Sequence, residues 1–439
     1  MEGFRVTGGE KIQGQARLQG AKNAVLPILA AALLPEGETV IRDCPDIRDA
    51  QAMAGILNTL GCACSVENGQ ARVDSGRLCR WEMPEELSKQ IRSSIFLLGP
   101  ILGKLRRATV TFPGGCDIGL RPIDLHLKGL RALGVRIRED GGVIHCDGGS
   151  MRAGNVYFDY PSVGATENVM MAAVLLPGIT TIHNAAREPE IEDLQNFLNV
   201  LGGRIRGAGT KVIRVEGVQS LRGADYTPIP DRIVGGTLLC AAAATGGEIE
   251  LLNARPRDLK PVTEKMKEMG CGVWEMEDGL ALKAPEKLRA FSPLHTRPHP
   301  GFPTDMQAQM LAVSCTAEGE SVIVENVFEN RLSHVEDLRR MGADIQVCGR
   351  RALVRGVPAL HGARLRARDL RGGAALVVAA LGAQGESTVE RADLIDRGYD
   401  HLETVLSGLG ARVERLTGGE DERKNESGIA APFSGRSAG

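Results

Sequence analysis

Two helical patterns alternate along the chain, and each is followed by a β-like stretch. The first is an alanine-rich apolar run with a glycine and a short β run behind it, as in "LAAALLPEGETVIRDC" and "MMAAVLLPGITTIHNA". The second is amphipathic and ends in Leu-Gly or Met-Gly before alternating residues, as in "LRALGVRIREDGGVIHC". A helix that is apolar all round is buried, whereas an amphipathic helix covers a core. The pattern predicts mixed α/β structure with inner and outer helices.

The second pattern recurs six times at nearly constant spacing. A glycine directly after the last periodic residue is typical of a helix C-terminus. These glycines are Gly61, Gly134, Gly202, Gly270, Gly342 and Gly410. The repeat predicts six units of about 70 residues, each with two helices and several strands. Six units suit two domains of three, and the proline cluster "TPIPDR" (227–232) is the predicted crossing between them.

Composition narrows the classes of function. The 439 residues include 53 basic and 55 acidic ones, so no overall field attracts nucleic acid or an anionic membrane. The longest apolar run (24–34) is too short to span a bilayer, and the start lacks a signal-peptide pattern. Ten cysteines without a C-x-x-C pair argue against zinc ribbons and disulfide scaffolds. We therefore expect a cytoplasmic protein with reduced thiols, no metal, no nucleic-acid partner and no membrane association.

Several polar residues interrupt the repeats where a site could form. Lys22 and Asn23 precede the first apolar helix, where helix amides and a cation could bind phosphate, although a solvated lysine is the simpler alternative. Arg92 lies in the apolar stretch "QIRSSI", which predicts a charge within an apolar helix. Asp305 begins another apolar helix, where it could be catalytic or could cap the helix.

Arginines recur at loop-to-helix transitions of the units. These are Arg121, Arg331, Arg371 and Arg397. Any one of them could form an ordinary ion pair, but their recurrence favours convergence on one polyanion, since guanidinium groups bind carboxylate and phosphate through two hydrogen bonds.

Cys116 stands in the glycine-rich stretch "FPGGCDIGLRP". Nearby cations would lower its thiol pKa and make it reactive, whereas Asp117 would offset part of that effect. An incidental thiol is the alternative.

In combination, the motifs resemble the UDP-N-acetylglucosamine 1-carboxyvinyltransferase family of enolpyruvyl transferases. The resemblance covers residues 1 to 417 and rests on "GAKNA", "PGGCDIGLRPIDLH", "SVGATEN", "NAAREPEI", "FPTDMQAQ", "ENR", "DLRGGAAL" and "IDRGYDHLE". It implies a two-domain inside-out α/β barrel of six βαβαββ units, three per domain. The implied domains are residues 21–229, and residues 1–20 together with 230–417. Residues 418–439 are polar and rich in Gly and Ser, which predicts a disordered tail.

The resemblance also implies the reaction, the first committed step of peptidoglycan precursor synthesis. Enolpyruvyl passes from phosphoenolpyruvate to the 3-hydroxyl of UDP-N-acetylglucosamine, phosphate leaves, and neither a metal nor an organic cofactor takes part. Cys116 is implied as the general acid, able to form a covalent adduct, and Asp305 as the base. The implied substrate-binding residues are Lys22, Asn23, Arg92, Arg121, Pro122, Ile123, Asp124, Leu125, Ser162, Val163, Val327, Arg331, Arg371 and Arg397. Tyr160 departs from the lysine that some members carry near the diphosphate.

Two other interpretations stay open at this point. One is a 5-enolpyruvylshikimate 3-phosphate synthase-like transferase, which shares the fold but lacks the cysteine stretch and the uridine-binding run. The other is a non-catalytic paralogue that binds the sugar nucleotide and regulates another protein. Because the candidate residues fall on both sides of residue 230, we expect a site between two domains. We further expect mutual repulsion of its cations to open the cleft, and the sugar nucleotide to close it.

Overall fold

The computed structural model of the chain describes residues 2–112, Ile118 and residues 122–417. Four of the features singled out above lie outside the described residues: Cys116, Asp117, Arg121 and the tail 418–439. The described residues form the repeating arrangement that the sequence predicts, with helices and strands alternating from one end to the other.

The first half of the chain starts with two strands and then runs through three units. Its strands are β1 (Gly3–Thr7), β2 (Gln13–Arg17), β3 (Glu38–Ile41), β4 (Ala63–Glu67), β5 (Gln70–Asp74), β6 (Arg107–Thr111), β7 (Arg136–Asp140), β8 (Val143–Asp147), β9 (Asn155–Tyr157), β10 (Ile179–His183), β11 (Arg204–Arg206), β12 (Val212–Glu216) and β13 (Asp225–Tyr226). Its helices are α1 (Lys22–Ala31), α2 (Arg48–Thr59), α3 (Glu85–Gln90), α4 (Leu98–Leu105), α5 (Asp124–Ala132), α6 (Val163–Ala173) and α7 (Pro189–Val200). A 3-10 helix, Arg92–Leu97, leads directly into α4.

The second half repeats this order three more times. Its helices are α8 (Arg232–Thr245), α9 (Pro256–Glu268), α10 (Gln307–Ser314), α11 (Val335–Arg340), α12 (Leu370–Leu381), α13 (Ala392–Ile395) and α14 (Leu402–Gly408). Its strands are β14 (Glu248–Leu252), β15 (Gly272–Met276), β16 (Gly279–Lys283), β17 (Leu294–His295), β18 (Glu320–Val324), β19 (Asp344–Cys348), β20 (Arg351–Arg355), β21 (Arg364–Arg366), β22 (Glu386–Glu390) and β23 (Arg412–Leu416). A 3-10 turn, Thr304–Met306, precedes α10.

Each unit has its own small sheet. The strand orders are β13-β3-β5-β4, β6-β8-β7 and β11-β12-β10-β9 in the first half, and β15-β16-β14-β2, β17-β18-β20-β19 and β21-β22-β1-β23 in the second. The first two strands of the chain thus belong to sheets of the second half. Strand β1 lies between β22 and β23, antiparallel to both, and β2 runs parallel to β14. The last unit needs β1 because only β23 follows its outer helix α14.

The six repeat glycines all adopt the left-handed backbone conformation that ends a helix. Their φ angles lie between +89° and +105°. Residues with a Cβ pay an energetic cost in this region, so glycine is the natural choice where an outer helix stops and a strand begins. The predicted six-unit α/β fold is therefore confirmed, down to the residue at which each outer helix ends.

Buried apolar side chains form two separate cores. One is drawn from residues 21–229 and the other from residues 4–18 and 233–413. The alanine-rich helices lie inside these cores, and α8, α10 and α12 pack against one another in the second. The chain crosses between the cores twice, and the crossings are tied together where Ala21 N donates to Ile229 O at 2.7 Å. Within the described residues, we find no helix of the length and apolar character that a membrane span requires.

Candidate active site

Asp305 lies at the centre of a charged cluster between the two halves. Its Oδ1 accepts a hydrogen bond from Arg331 Nη2 at 2.6 Å, and its Oδ2 accepts from Arg371 Nη2 at 3.2 Å. Asn23, at the start of α1 in the other half, donates Nδ2 to Oδ2 at 3.3 Å. The side chains of Arg331 and Arg371 are 4% and 3% exposed. The carboxylate therefore joins residues that lie hundreds of positions apart in the sequence.

This environment determines the charge of Asp305. Burial alone would raise its pKa, but the cations of Arg371, Arg331 and Lys22 outweigh that effect and hold the pKa well below its usual range. The alternative that Asp305 caps a helix is wrong, because neither the 3-10 turn Thr304–Met306 nor α10 has a side-chain cap. The carboxylate is instead a charged acceptor facing two arginines.

The two arginines have further donors available. Arg331 Nε and Arg371 Nη1 are buried and have no hydrogen-bond partner within residues 2–112 and 122–417. A buried N–H without an acceptor costs about 1–3 kcal/mol. Buried donors without an acceptor are rare in folded proteins, so these two N–H groups are candidates for binding an incoming ligand. A ligand carboxylate bound to both arginines would accept from these N–H groups and remove that cost.

A second carboxylate, Asp49, organises two more of the predicted residues. Lys22 Nζ lies 3.0 Å from Asp49 Oδ2, while Arg397 contacts both oxygens, through Nε at 2.9 Å and Nη2 at 3.3 Å. The side chain of Asp49 is only 3% exposed. Its burial would raise its pKa, but Lys22 and Arg397 reverse the direction and lower it. Lys22 comes from α1 and Arg397 from the turn after α13, so this contact also joins the two halves.

Helix ends hold the cations in place. Asp369 caps α12 by accepting from Arg371 N and Gly372 N, each at 3.0 Å. The Arg371 guanidinium then lies over the ring of Tyr399, 5.3 Å from its centroid. Asp231 caps α8 and also accepts from the backbone N of Lys22 at 3.0 Å. The start of α1 is thereby tied to the start of α8.

The predicted nucleotide-binding residues gather at the meeting point of α5 and α6. Residues 122–125 lead into and begin α5, and Ser162 caps α6 by accepting from Ala165 N. The two helices approach closely at Gly164, where an added Cβ would lie 2.7 Å from His126 Cε1 and 2.9 Å from Phe96 Cε1. A side chain at position 164 would clash with these rings, so glycine lets the start of α6 approach the first turn of α5, which includes the end of the run Pro122, Ile123, Asp124 and Leu125.

Glu325 connects the backbone at Val327 to the segment that carries Asp305. Its Oε1 accepts from the backbone N of Val327 at 2.7 Å and from that of Phe328 at 3.0 Å. Its Oε2 accepts from Thr304 Oγ1 at 2.9 Å. Tyr160 lies close enough to feel this charge, since burial, then Glu188 and Glu325, raise the pKa of its phenol.

The structure thus brings together most of the residues that the sequence singles out. Lys22, Asn23, Asp305, Arg331, Arg371 and Arg397 share one charged cluster. Arg92 differs from the prediction, because it begins the 3-10 helix Arg92–Leu97 rather than lying within an α-helix. Cys116 and Arg121 are not described, but Ile118 is buried and its carbonyl accepts from Asn330 N at 3.0 Å, next to Arg331.

Sequence reasoning missed the acidic residues that organise the cations. These are Asp49, Asp231, Glu325 and Asp369. Asp231 and Asp369 cap helices, which their positions before α8 and α12 could have indicated. Their further role in holding Lys22 and Arg371 could not be seen from these positions. The contact of Asp49 with Arg397 spans 348 residues, and no local pattern could have indicated it.

Known proteins of two kinds are similar to this chain. The family model described as EPSP synthase (3-phosphoshikimate 1-carboxyvinyltransferase) matches residues 6–406. UDP-N-acetylglucosamine 1-carboxyvinyltransferase 2 of Caldanaerobacter subterraneus subsp. tengcongensis is 50% identical over 413 residues, which is 94% of this chain and 99% of that protein. UDP-N-acetylglucosamine 1-carboxyvinyltransferase 1 of Symbiobacterium thermophilum is 50% identical over 424 residues, covering 94% and 95%.

Solved structures show the same architecture. The enolpyruvyl transferase NikO from Streptomyces tendae superimposes with a TM-score of 0.85 at 25% identity, covering 94% of this chain and 98% of that one. An EPSP synthase from Acinetobacter baumannii has a TM-score of 0.74 at 18% identity, covering 95% and 100%, and at that identity it supports the fold alone.

Proposed function

The chain belongs to the EPSP synthase family and, within it, to the UDP-N-acetylglucosamine 1-carboxyvinyltransferases, and from this premise we propose how its cleft works. The protein is an enolpyruvyl transferase. It moves the enolpyruvyl group of phosphoenolpyruvate to the 3-hydroxyl of UDP-N-acetylglucosamine and releases phosphate, the first committed step of peptidoglycan precursor synthesis. We place it in the cytoplasm, and its small-molecule substrates are phosphoenolpyruvate and UDP-N-acetylglucosamine.

The observation that carries the proposal is the Asp305 cluster. Two buried arginines, Arg331 and Arg371, point N–H groups at one carboxylate and keep further buried donors for another. The carboxylate of phosphoenolpyruvate fits these donors. Its phosphate fits Lys22 and Arg397, together with Arg121, because fixed cations stabilise a polyanion most strongly in a site that excludes water.

The residues of the cleft divide the addition step between them. The 3-hydroxyl oxygen of the sugar bonds to C2 of phosphoenolpyruvate while Asp305 takes the hydroxyl proton. Cys116 delivers a proton to C3, so the double bond becomes a tetrahedral ketal. Phosphate then leaves C2, and loss of one C3 proton restores the double bond in the product. Positioned acids and bases of this kind contribute about 10²–10⁴-fold each.

Asp305 becomes a better base when substrate arrives. In its contact with two arginines its pKa is held well below the usual range, which makes it a weak proton acceptor. A substrate carboxylate bound to Arg331 and Arg371 would offset their charge and raise the pKa of Asp305 towards its ordinary value.

The sugar nucleotide lies on the other side of the cluster in this proposal. Its uridine contacts Pro122, Ile123, Asp124 and Leu125, and its diphosphate lies near Ser162 and Val163 at the N-terminus of α6, where helix amides favour an anion. Val327 approaches from the opposite half, and Asn23 and Arg92 complete the site. The halves correspond to two domains, residues 21–229, and residues 1–20 with 230–417.

One assay tests the function. Phosphate release should require phosphoenolpyruvate and UDP-N-acetylglucosamine together, and neither alone should support it. Replacing the sugar nucleotide with shikimate 3-phosphate should give no release; release with that acceptor would favour the EPSP synthase-like alternative. Binding of the sugar nucleotide without any phosphate release would favour the non-catalytic alternative.

A further inference from the structure

Asp49 stands out among the acidic residues of the cleft because both of its cationic partners are proposed phosphate ligands. It is the second residue of α2, and its buried carboxylate contacts Lys22 Nζ at 3.0 Å. The same carboxylate binds Arg397 through two hydrogen bonds, at 2.9 and 3.3 Å. One side chain therefore links two cations that belong to opposite halves of the molecule.

The geometry of these contacts restrains both cations. A guanidinium held through Nε and Nη2 has its plane fixed by the carboxylate, so its Nη1 edge has one direction. Lysine has a flexible four-carbon stem, and a buried partner at 3.0 Å removes much of that freedom. Placing two cations side by side costs repulsion, which the shared carboxylate between them offsets.

We propose that Asp49 is a positioning residue, which holds Lys22 and Arg397 as a pair for the phosphate group of phosphoenolpyruvate. The inference rests on the proposed function and extends it to a residue that does not touch substrate. Because Arg397 comes from the second half, the contact with Asp49 also makes the phosphate site complete only when the halves meet. Asp49 thus couples the closed arrangement to phosphate binding.

Two simpler roles for Asp49 predict different results. If it only neutralised charge, its removal would leave the cations more positive and would strengthen phosphate binding. If it only stabilised the fold, its removal would lower stability without a selective change in phosphate affinity. Positioning predicts selective weakening of phosphate binding.

Three variants separate these roles. Asp49→Asn removes the charge, and Asp49→Glu keeps the charge but shifts the carboxylate by one methylene. Asp337→Asn is the matched control, since Asp337 is fully buried and also lies between two arginines, Arg340 Nη1 at 2.9 Å and Arg368 Nε at 3.6 Å. Neither of these arginines is among the proposed substrate ligands.

The readouts are the KM for each substrate, kcat, inhibition by inorganic phosphate, and thermal unfolding. Both Asn variants should lose stability. Asp49→Asn should raise the KM for phosphoenolpyruvate and the inhibition constant of phosphate by about tenfold or more, the equivalent of one charge-assisted hydrogen bond. Asp49→Glu should change both constants in the same direction. The KM for UDP-N-acetylglucosamine should change less than about twofold in either Asp49 variant, and Asp337→Asn should leave all of these constants within about twofold of wild type.

Clear results would overturn the proposal. Phosphate that inhibits Asp49→Asn as well as or better than wild type would leave only a neutralising role. An Asp49→Glu variant with the same KM for phosphoenolpyruvate and the same phosphate inhibition as wild type would also leave only a neutralising role. This variant keeps the proposal testable if Asp49→Asn does not fold. Equal effects in Asp337→Asn would leave only a structural role. If wild type released no phosphate with both substrates, the proposed function would fail, but calorimetric titration with inorganic phosphate would still compare the variants.

Discussion

At the scale of single residues, the cleft shows cations whose partners are carboxylates from the same chain. Arg331 and Arg371 hold Asp305, and Lys22 and Arg397 hold Asp49. The sequence could predict the cations, because their positions beside helix starts are locally visible. It could not predict the carboxylates as their partners, since such pairs form only when distant segments fold together.

Asp305→Asn tests the base. The amide keeps the size of the side chain but accepts no proton at neutral pH, so kcat should fall about 10²–10⁴-fold. Stability should fall by about 1–3 kcal/mol, because two buried arginines lose a charged acceptor. Steady-state phosphate release and thermal unfolding measure the two effects. Turnover near that of wild type would remove Asp305 from the chemistry.

The pH dependence of this variant follows from the lowered pKa of Asp305. A carboxylate whose pKa is lower in the folded state stabilises the protein above its ordinary pKa of about 3.9 and loses that contribution as pH falls further. The difference in stability between wild type and Asp305→Asn should therefore be constant above about pH 5 and shrink below about pH 4. A difference that grows on acidification would contradict the assigned ion pairs.

Cys116 should be alkylated selectively by an electrophilic mimic of phosphoenolpyruvate, such as a phosphonate epoxide. Burial raises the pKa of seven other thiols, which makes them poor nucleophiles: Cys44, Cys62, Cys64, Cys146, Cys240, Cys271 and Cys315. Cys79 and Cys348 are exposed and are the internal controls. Peptide mass mapping should show the adduct at Cys116 and protection by phosphoenolpyruvate. Comparable labelling of Cys79 or Cys348 would count against a special reactivity of Cys116.

At the scale of helices and strands, the repeat was predictable because each outer helix ends at a glycine with positive φ, and this requirement is local. The place of β1 was not predictable from the residues alone. Its pairs, such as Phe4 with Val389 and Phe4 with Arg415, join segments 385 and 411 residues apart. Contacts between helices were predictable in part. Small residues indicate where a helix could be approached closely, but they do not indicate which helix approaches.

Gly99 tests one such contact, between α4 and α6. An added Cβ would lie 2.4 Å from the carbonyl oxygen of Asn168, and the backbone N of Gly99 already donates to Asn168 Oδ1 at 2.6 Å. Gly99→Ala should therefore destabilise the protein by about 1–3 kcal/mol through overpacking. Gly55→Ala is the matched control within α2, where the nearest atom, Leu87 Cδ1, is 3.9 Å away. It should stabilise by about 0.5–1 kcal/mol because alanine favours helix over glycine.

Chemical denaturation of the two variants measures both changes. The opposite signs are the core of this prediction, since both substitutions add the same methyl group to a helix. A Gly99→Ala variant as stable as wild type would mean that α4 and α6 do not meet as described.

At the scale of the whole molecule, direct contacts join the two halves. Arg232 binds Glu190 through Nε at 3.0 Å and Nη2 at 3.2 Å, and both side chains are buried. Glu188 Oε1 accepts from His299 N at 3.1 Å. Each described pair of site cations shares one carboxylate, Asp49 for Lys22 and Arg397 and Asp305 for Arg331 and Arg371, so the carboxylates reduce the repulsion between the cations without cancelling their charge. The expectation that UDP-N-acetylglucosamine closes the two halves stays a prediction.

Glu190→Gln should weaken closure driven by UDP-N-acetylglucosamine. Breaking a buried ion pair leaves Arg232 without its counter-charge in the closed form, a cost of roughly 3–5 kcal/mol that an open, hydrated cleft avoids. Glu192→Gln is the matched control, because Glu192 also pairs across the halves, with Arg257 at 3.3 Å, but both side chains are exposed. Exposed pairs contribute about 0–1 kcal/mol.

Small-angle scattering measures closure as a fall in the radius of gyration when UDP-N-acetylglucosamine is added. Wild type and Glu192→Gln should show this fall at a lower concentration of the sugar nucleotide than Glu190→Gln does. Identical titration curves for the two variants would show that the buried pair does not hold the halves together.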